Sequence, residues 1–332
     1  MGKLIDGVWL DDAQMAAAEA TNTDKSGAFV RAESVIRHWV TPDGEPGPSG
    51  EGGFKAEAGR YHLYVALNCP WAHRALIFRI LKQLQDVISI SYVRPRRSDQ
   101  GWVFDADDAF FKDDLFGKSA LHEIYTQAQP DYTGRVTVPV LWDIQRQTMV
   151  SNESAEIIRM LNSAFDAFTD DKTDYYPAAQ RDEIDALNER IYNTINNGVY
   201  RTGFARSQAA YDEAVTALFD TLDMLDDRLA VRRYLMGDQQ TEADWRLFPT
   251  LARFDVAYVG AFKCNIRRIA DYANLWPYAR DLYQTPGIAE TVRHDIYKQG
   301  YYSKSELRNP LGIIPAGPEI DFSEPHGRER LT

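Results

Sequence analysis

The stretch YHLYVALNCPWAHRALIFRILKQL, residues 61–84, constrains the fold more than any other part of the chain. Tyr61, Leu63, Val65 and Leu67 recur at every second position, which reads as a strand. Ala72, Ala75, Leu76, Ile80 and Leu84 then keep an apolar stripe at helical spacing. Asn68-Cys69-Pro70 stands at the join. Proline suits the first helical turn, where a missing N–H costs nothing, so Cys69 is expected at or beside the N-cap. The amides and the positive dipole end of a helix start both favour an anion. The thiol of Cys69 is therefore expected to ionise more readily than an ordinary cysteine. The residue three after Cys69 is Ala72, so there is no Cys-x-x-Cys pair. A second thiol, if redox chemistry is done here, comes from elsewhere in the fold or from a small molecule. The competing reading is a buried, inert cysteine that only packs. The strand–Cys-Pro–helix context favours the reactive one.

At 332 residues the chain has room for two domains with cores of their own. Charged residues make up 26% and hydrophobic ones 44%, the proportions of a soluble globular protein. A net charge of −12 argues against a nucleic-acid footprint, which needs a basic face. The two cysteines, Cys69 and Cys264, cannot form a disulfide framework, which fits a reducing compartment. No apolar run reaches membrane-spanning length. The opening MGKLIDGVWLDD carries acids where a secretory signal needs an apolar core, and it lacks the Ser or Thr of a myristoylation signal. A cytoplasmic protein without membrane or nucleic-acid partners is the expectation.

Residues 1–57 read as an irregular N-terminal arm with loop composition at Gly44–Gly50, apart from a short helix or strand over Arg31–Val40. A second strand follows at Val87–Val93, then an Arg-rich turn, Arg94–Arg97. Asp99–Gln129 reads as a long irregular connection, a length that is often functional. Within it Trp102 either covers a ligand or plugs the loop against the body. In Arg135–Asp143, RVTVPVLWD, the alternating Val136, Val138, Val140 and Trp142 give a strand interrupted by Pro139. Proline cannot donate to a ladder, so Pro139 lies at an edge or carries a special peptide bond. A cis Val138–Pro139 bond, in which the backbone of Val138 can face the thiol, is expected. Thr148–Val150 is a further strand. Ser151-Asn152-Glu153-Ser154 then opens a helix through Ile157, Ile158 and Leu161. Such a helix start can bind a carboxylate, although plain capping is the preferred reading of Ser151. The order β-α-β, then β-β-α, gives a mixed sheet flanked by helices.

Beyond the polar link Asp170–Pro177 the pattern is helical. Stripes run through Ile184, Leu187 and Ile191, and through Tyr211–Leu229. Asn196–Arg201 breaks the stripe between them. Thr241 and Asp244 have capping-box spacing ahead of Leu247, Leu251 and Phe254. Cys264 has no acid–base partner in view and reads as structural. Helical pieces follow at Tyr272–Tyr283 and Gly287–Val292, and the tail from Gly300 reads as loop.

A thiol at a strand-to-helix turn, a Val-Pro strand, a Glu-Ser helix start and an all-helical second half together resemble the glutathione-transferase fold. NCPWAHR (68–74), GRVTVPVLWD (134–143), SNESAEIIRMLN (151–162), NNGVYRTGFA (196–205), RFDVAYVGAFKCN (253–265), Tyr301-Tyr302 and Asn309-Pro310 narrow the match. In this order and spacing they resemble the glutathionyl-hydroquinone reductases, or Xi-class glutathione transferases, over nearly the whole chain. The resemblance implies an α+β thioredoxin-like glutathione-binding domain over 58–165, with a long loop at 94–134. It implies an all-α domain with a C-terminal tail over 178–332 for the hydrophobic substrate. Glutathione is the implied co-substrate, with no metal, and a homodimer is the implied assembly.

By the same resemblance Cys69 is the nucleophile that attacks the sulfur of a glutathionyl-hydroquinone, and a second glutathione resolves the product. Trp102, Arg135, Val138, Glu153 and Ser154 would hold glutathione. Val138 would do so through its backbone, Glu153 would face the ammonium, and Ser154 with the helix end would take a carboxylate. Tyr200 and Tyr301 would hydrogen-bond the hydroquinone oxygens, with Tyr302 an adjacent alternative to Tyr301. A departing aryl carbon is a poor leaving group unless the ring first takes up a proton, and phenolic hydroxyls could assist that shift. The competing readings are an omega-like thioltransferase or dehydroascorbate reductase, and a non-catalytic binding protein of the same fold. A conjugating transferase fits less well, since it needs Tyr or Ser where Cys69 stands.

Overall fold

The computed structural model describes residues 2–11, 14, 22–48, 52–96, 98–306 and 308–331. Ser49 and Gly50 of the expected loop and Arg97 of the Arg-rich turn lie outside the described residues. The chain divides into two compact units, Met1–Thr21 with Glu33–Thr173, and Asn22–Ala32 with Asp174–Thr332. The division falls inside the polar link, and the N-terminal arm contributes to both units.

The first unit contains β1 (Lys3–Ile5), β2 (Val8–Leu10), β3 (Trp39–Thr41), β4 (Gly53–Lys55), β5 (Tyr61–Val65), α1 (Pro70–Leu81) and β6 (Ile88–Tyr92). It continues with α2 (Leu121–Ala128), β7 (Gly134–Arg135), β8 (Val140–Asp143), β9 (Thr148–Ser151) and α3 (Ser154–Ser163). The main sheet has the order β6-β5-β8-β9. β5 pairs parallel to β6 across the α1 crossover and antiparallel to β8, and β8 pairs antiparallel to β9. Helices α1 and α3 pack on each other. The period-two pattern of β5 understates its environment, because all five of its residues are buried. The polar ones are satisfied locally: His62 meets Ser89 Oγ at 2.7 Å and Ser91 Oγ at 3.0 Å, and the Tyr64 hydroxyl donates to Asp113 at 3.2 Å.

Three stretches with irregular composition hold regular structure. In the arm, β1 and β2 form a hairpin on Asp6 (φ 47°) and Gly7 (φ 75°), and β1 also pairs with β7. Asp-Gly is a strong two-residue hairpin signal. Only glycine fits, since a Cβ on Gly7 would come within 1.9 Å of the Pro130 carbonyl oxygen. β3 and β4 pair parallel to each other. Ahead of β3, residues 36–38 run along β9, with His38 N donating to Val150 O (2.9 Å) and Asn152 N to Ile36 O (3.0 Å). The arm thereby covers a sheet edge that would otherwise be open. In the long connection, α2 forms because Leu121, Ile124 and Tyr125 are buried on one face and the Glu123 carboxylate accepts from Ala120 N at 2.9 Å. The expected strand Arg135–Asp143 is two pieces, β7 and β8, separated at Val136–Pro139.

The second unit contains α4 (Arg181–Ile191), α5 (Gly198–Phe204), α6 (Gln208–Leu229), α7 (Glu242–Arg253), α8 (Leu275–Tyr283) and α9 (His294–Tyr301). The stripe-breaking segment Asn196–Arg201 is not a loop: it begins at the last residue of a π-helical turn, Tyr192–Asn196, and runs into α5. A second π-helical turn, Phe254–Tyr258, extends α7. Helix α9 takes in Gly300 and Tyr301, where the composition suggests loop, and it is anchored by its buried Ile296 and Tyr297. Asp244 realises the expected capping box. It accepts from Thr241 N at 2.7 Å and also from Leu235 N at 2.9 Å and the Tyr278 hydroxyl at 2.8 Å. The tail returns Arg328 to the end of α6, where its guanidinium donates to the carbonyls of Leu229 (3.0 Å) and Arg233 (2.8 Å).

Burial holds the imidazole of His62 down to about 4. The folded state keeps it neutral, whereas the unfolded chain takes up a proton near 6.5. The unfolded state then binds the extra proton, so this group's contribution is fully present above about pH 6.5 and falls as the pH drops toward 4. The loss over that window is on the order of 3 kcal/mol. Urea unfolding at pH 7 and pH 4.5 is expected to show a smaller pH-dependent loss for His62→Gln than for the natural chain; equal losses would contradict this.

Candidate functional site

Cys69 is the N-cap of α1 with an extended backbone (φ −84°, ψ 120°), and Pro70 is the first helical residue. The first helical hydrogen bond runs from His73 N to Cys69 O at 3.0 Å, so the positive end of the helix lies at the sulfur. Opposite stands Val138, whose carbonyl oxygen accepts from the thiol of Cys69 at 3.6 Å. The Val138–Pro139 bond is cis. The start of a helix is a setting that favours an anion. Cys69 is half-buried. Cys264 is fully buried, and burial pushes its thiol well up. The two cysteines thus differ in exposure, and Cys264 has the inert setting its sequence context implies.

The backbone around Val138 is held by a residue that sequence reasoning does not single out. The Tyr125 hydroxyl on α2 donates to Thr137 O at 2.9 Å and accepts from Thr137 N at 3.2 Å. Asn152 Nδ2 donates to the same hydroxyl at 3.2 Å. One buried phenol therefore ties the Val138 turn to the turn that opens α3. At that second turn Glu153 is the N-cap, accepting from Ala155 N at 3.0 Å. Ser151, expected as a plain cap, is not one: it ends β9 two positions before the N-cap, and its hydroxyl accepts from Glu153 N at 3.1 Å. Ser154 is the first residue of α3 and is buried. Its hydroxyl lies 3.4 Å from Nη1 of Arg74, a guanidinium that is 2% exposed and stands 4.6 Å from the Trp71 ring centroid. Arg74 links the Cys69 helix to the Ser154 helix.

The remaining two expected glutathione contacts lie on flanking segments of this unit. Trp102 is 8% exposed, and its carbonyl accepts from Leu121 N at the start of α2. Arg135 is half-buried on β7, opposite Lys3 of β1. Among the described residues no group of three or more His, Cys, Asp or Glu side chains gathers as a metal site would require.

In the helical unit Tyr200 and Tyr301 come together, hydroxyl to hydroxyl at 3.0 Å. Tyr258 joins them, 2.9 Å from the Tyr301 hydroxyl. Tyr302 points elsewhere. Its hydroxyl donates to Ala257 O at 3.4 Å and fills the space at Gly260, where a Cβ would meet it at 2.2 Å. The adjacent tyrosines are thus distinguished by geometry, and Tyr301 is the one that meets Tyr200. Burial pushes Tyr258 and Tyr301 far above the usual phenol range, so both hold their protons. The π-helical turns help to build this chain of hydroxyls. Each inserts one extra residue into its turn, a device that re-aims the side chains beyond it. Tyr258 closes one of these turns and Tyr200 comes after the other. Tyr258 escapes sequence reasoning because a tyrosine in an apolar helical stripe looks like core.

Comparison with known proteins places these features in one family. The glutathione S-transferase N-terminal domain matches residues 68–164, and the glutathione S-transferase C-terminal domain matches 208–281. The chain is 53% identical to the glutathionyl-hydroquinone reductase YqjG of Escherichia coli over 99% of both chains. It is 49% identical to the glutathionyl-hydroquinone reductase PcpF of Sphingobium chlorophenolicum over 96% of both. The glutathione-bound structure of YqjG superposes with a TM-score of 0.89, covering 98% of this chain and 99% of that one. A Xi-class glutathione transferase from Natrialba magadii gives 0.88 at 46% identity, covering 100% and 97%.

Exposure to iodoacetamide at neutral pH is expected to label Cys69 in the folded protein and Cys264 only after denaturation. Peptide mass spectrometry distinguishes them, and labelling of Cys264 in the native state would contradict the assignment.

Proposed function

The chain belongs to the glutathionyl-hydroquinone reductases, the Xi class of glutathione transferases, and from that premise we propose that it removes glutathione from glutathionyl-hydroquinones. The observation that carries this reading is that a chain with an N-cap thiol lacking a Cys-x-x-Cys partner also holds, in its helical unit, a chain of tyrosine hydroxyls.

The ring carbon bearing sulfur first takes up a proton while a ring hydroxyl gives one up, producing a keto tautomer. Tyr200 and Tyr301 serve this exchange at the ring oxygens and carbon. The Cys69 thiolate then attacks the glutathionyl sulfur. The S–S bond forms, the C–S bond breaks, and its electron pair restores the aromatic ring, which leaves as hydroquinone after reprotonation. A second glutathione, as thiolate, attacks the Cys69 mixed disulfide, releasing oxidised glutathione and the Cys69 thiolate. Two electrons pass to the carbon that loses sulfur from two glutathionyl sulfurs, the substrate's thioether and the second glutathione's thiol, so the balance closes without an outside reductant.

Glutathione is held in this reading by the Val138 backbone, by Glu153 facing its ammonium, by Ser154 and the start of α3 at a carboxylate, and by Trp102 and Arg135. Two helix starts in one unit, α1 for sulfur and α3 for carboxylate, suit a ligand carrying both groups. A homodimer in the cytoplasm completes the proposal. It is supported by class membership.

The test is steady-state turnover of a glutathionyl-hydroquinone by Cys69→Ala and Tyr200→Phe, with a protein mixed disulfide as comparison substrate. Cys69→Ala is expected to lose both activities. Tyr200→Phe is expected to lose hydroquinone release by about a hundredfold, the scale of acid–base catalysis, while keeping thioltransfer. Turnover by Cys69→Ala would overturn the proposal. Equal retention of both activities by Tyr200→Phe would favour the omega-like thioltransferase reading.

A further inference from the structure

Three tyrosine hydroxyls in a row do not say which of them gives up a proton. The arm segment that groups with the helical unit supplies an asymmetry. The guanidinium carbon of Arg31 stands 4.6 Å from the Tyr200 ring centroid, with the Phe29 ring at 5.5 Å. Arg31 Nε donates to Asn197 Oδ1 at 2.7 Å. Asn197 is also the residue whose carbonyl accepts from Tyr200 N at 3.0 Å. One side chain and one backbone group of the same residue therefore fix the cation and the ring relative to each other. The segment itself is in register with the end of α5. Arg206 N donates to Gly27 O at 2.9 Å, the Ser207 hydroxyl donates to Ser26 O at 2.8 Å, and the Phe29 and Phe204 rings stack at 5.3 Å.

We infer that Arg31 is a positioning residue for the proton step, biasing the chain so that Tyr200 is the hydroxyl that releases its proton. A cation on a ring face is attracted to the neutral ring and more strongly to the phenolate, whose full charge adds to the ring quadrupole. The neighbouring groups meet the cluster differently. Tyr301 offers its hydroxyl at 3.0 Å and Tyr258 packs its ring edge-on at 6.2 Å. Arg308 lies over Phe204 (4.3 Å) and Phe262 (5.7 Å), one ring removed. Arg253 lies over Tyr297 at 3.8 Å, on the Tyr301 side of the cluster. Arg201 pairs with Glu213 at 2.8 Å. Tyr258, fully buried, and Tyr301, half-buried with its phenol raised well above the usual range, are the proton-retaining end of the chain.

The inference rests on the proposed reaction. When Tyr200 gives its proton to the sulfur-bearing ring carbon, the new phenolate is stabilised by Arg31 and by the Tyr301 hydroxyl. It recovers a proton from the ring hydroxyl that becomes the carbonyl.

The test uses the full chain with Arg31→Met and Arg31→Lys. The tyrosines are labelled as 3-fluorotyrosine, and the Tyr200 fluorine signal is assigned from Tyr200→Phe. Without substrate, Arg31→Met is expected to raise the Tyr200 titration midpoint by about one pH unit, and Arg31→Lys to restore most of it. With a glutathionyl-hydroquinone, kcat at neutral pH is expected to fall about tenfold in Arg31→Met, with KM little changed and partial recovery in Arg31→Lys. An unmoved midpoint, or a loss of kcat equal at every pH and not recovered by lysine, would overturn the inference. If the natural chain turns over no glutathionyl-hydroquinone, the proposed reaction fails, and the fluorine titration still decides the role of Arg31.

Discussion

A sulfur fixed at the start of a helix is the constraint on which the rest of the first unit depends. Pro70 at the first helical position commits the chain to turn from β5 into α1 at that point, and the turn leaves Cys69 in extended geometry with the helix end beneath it. The opposite wall is a carbonyl, Val138 O, and not a second thiol. Much of the surrounding structure keeps that wall in place. Tyr125 holds Thr137 by both its amide and its carbonyl, and Asn152 holds Tyr125. Arg74 reaches from α1 to Ser154. These groups are buried, so each hydrogen bond they lose leaves a polar atom without water, at a cost of roughly 1–3 kcal/mol. The site is stiff because its polar supports have nowhere else to go.

The helical unit solves a different problem, that of storing protons where water does not set their energies. Burial keeps Tyr258 and Tyr301 protonated, and their hydroxyls line up with that of Tyr200. Such a chain can pass a proton without any member becoming a persistent charge. Arg31 breaks its symmetry at one end. The arm, which carries no chemistry-bearing group that its own composition reveals, thereby acquires a part in the reaction as well as in covering the edge of β9.

Much of this is legible in the residues. The strand–Cys-Pro–helix join, the cis Val138–Pro139 bond, the Glu153-Ser154 helix start and the Thr241–Asp244 box are local features, and local stereochemistry decides them. Features that depend on long-range burial stay hidden. The three-residue strands of the arm are too short for a period to show, although Asp6-Gly7 is a usable hairpin signal. Helix α2 has eight residues and one apolar stripe, which a long polar connection masks. The π-helical turns leave no distinct pattern, since one extra residue per turn only blurs a helical period of about 3.6 residues. Tyr125, Tyr258, Arg74 and Arg31 matter through partners 12 to 166 positions away. The separation of Tyr301 from Tyr302 needs the backbone of α9.

The central claim is that Cys69 carries the glutathionyl group between two substrates. Mass spectrometry of the protein mixed with an equivalent of glutathionyl-hydroquinone, in the absence of free glutathione, tests it most directly. One glutathionyl adduct is expected on the peptide containing Cys69, formed as hydroquinone is released and discharged when glutathione is added. Hydroquinone released while Cys69 remains unmodified, or an adduct found on Cys264 instead, would contradict it.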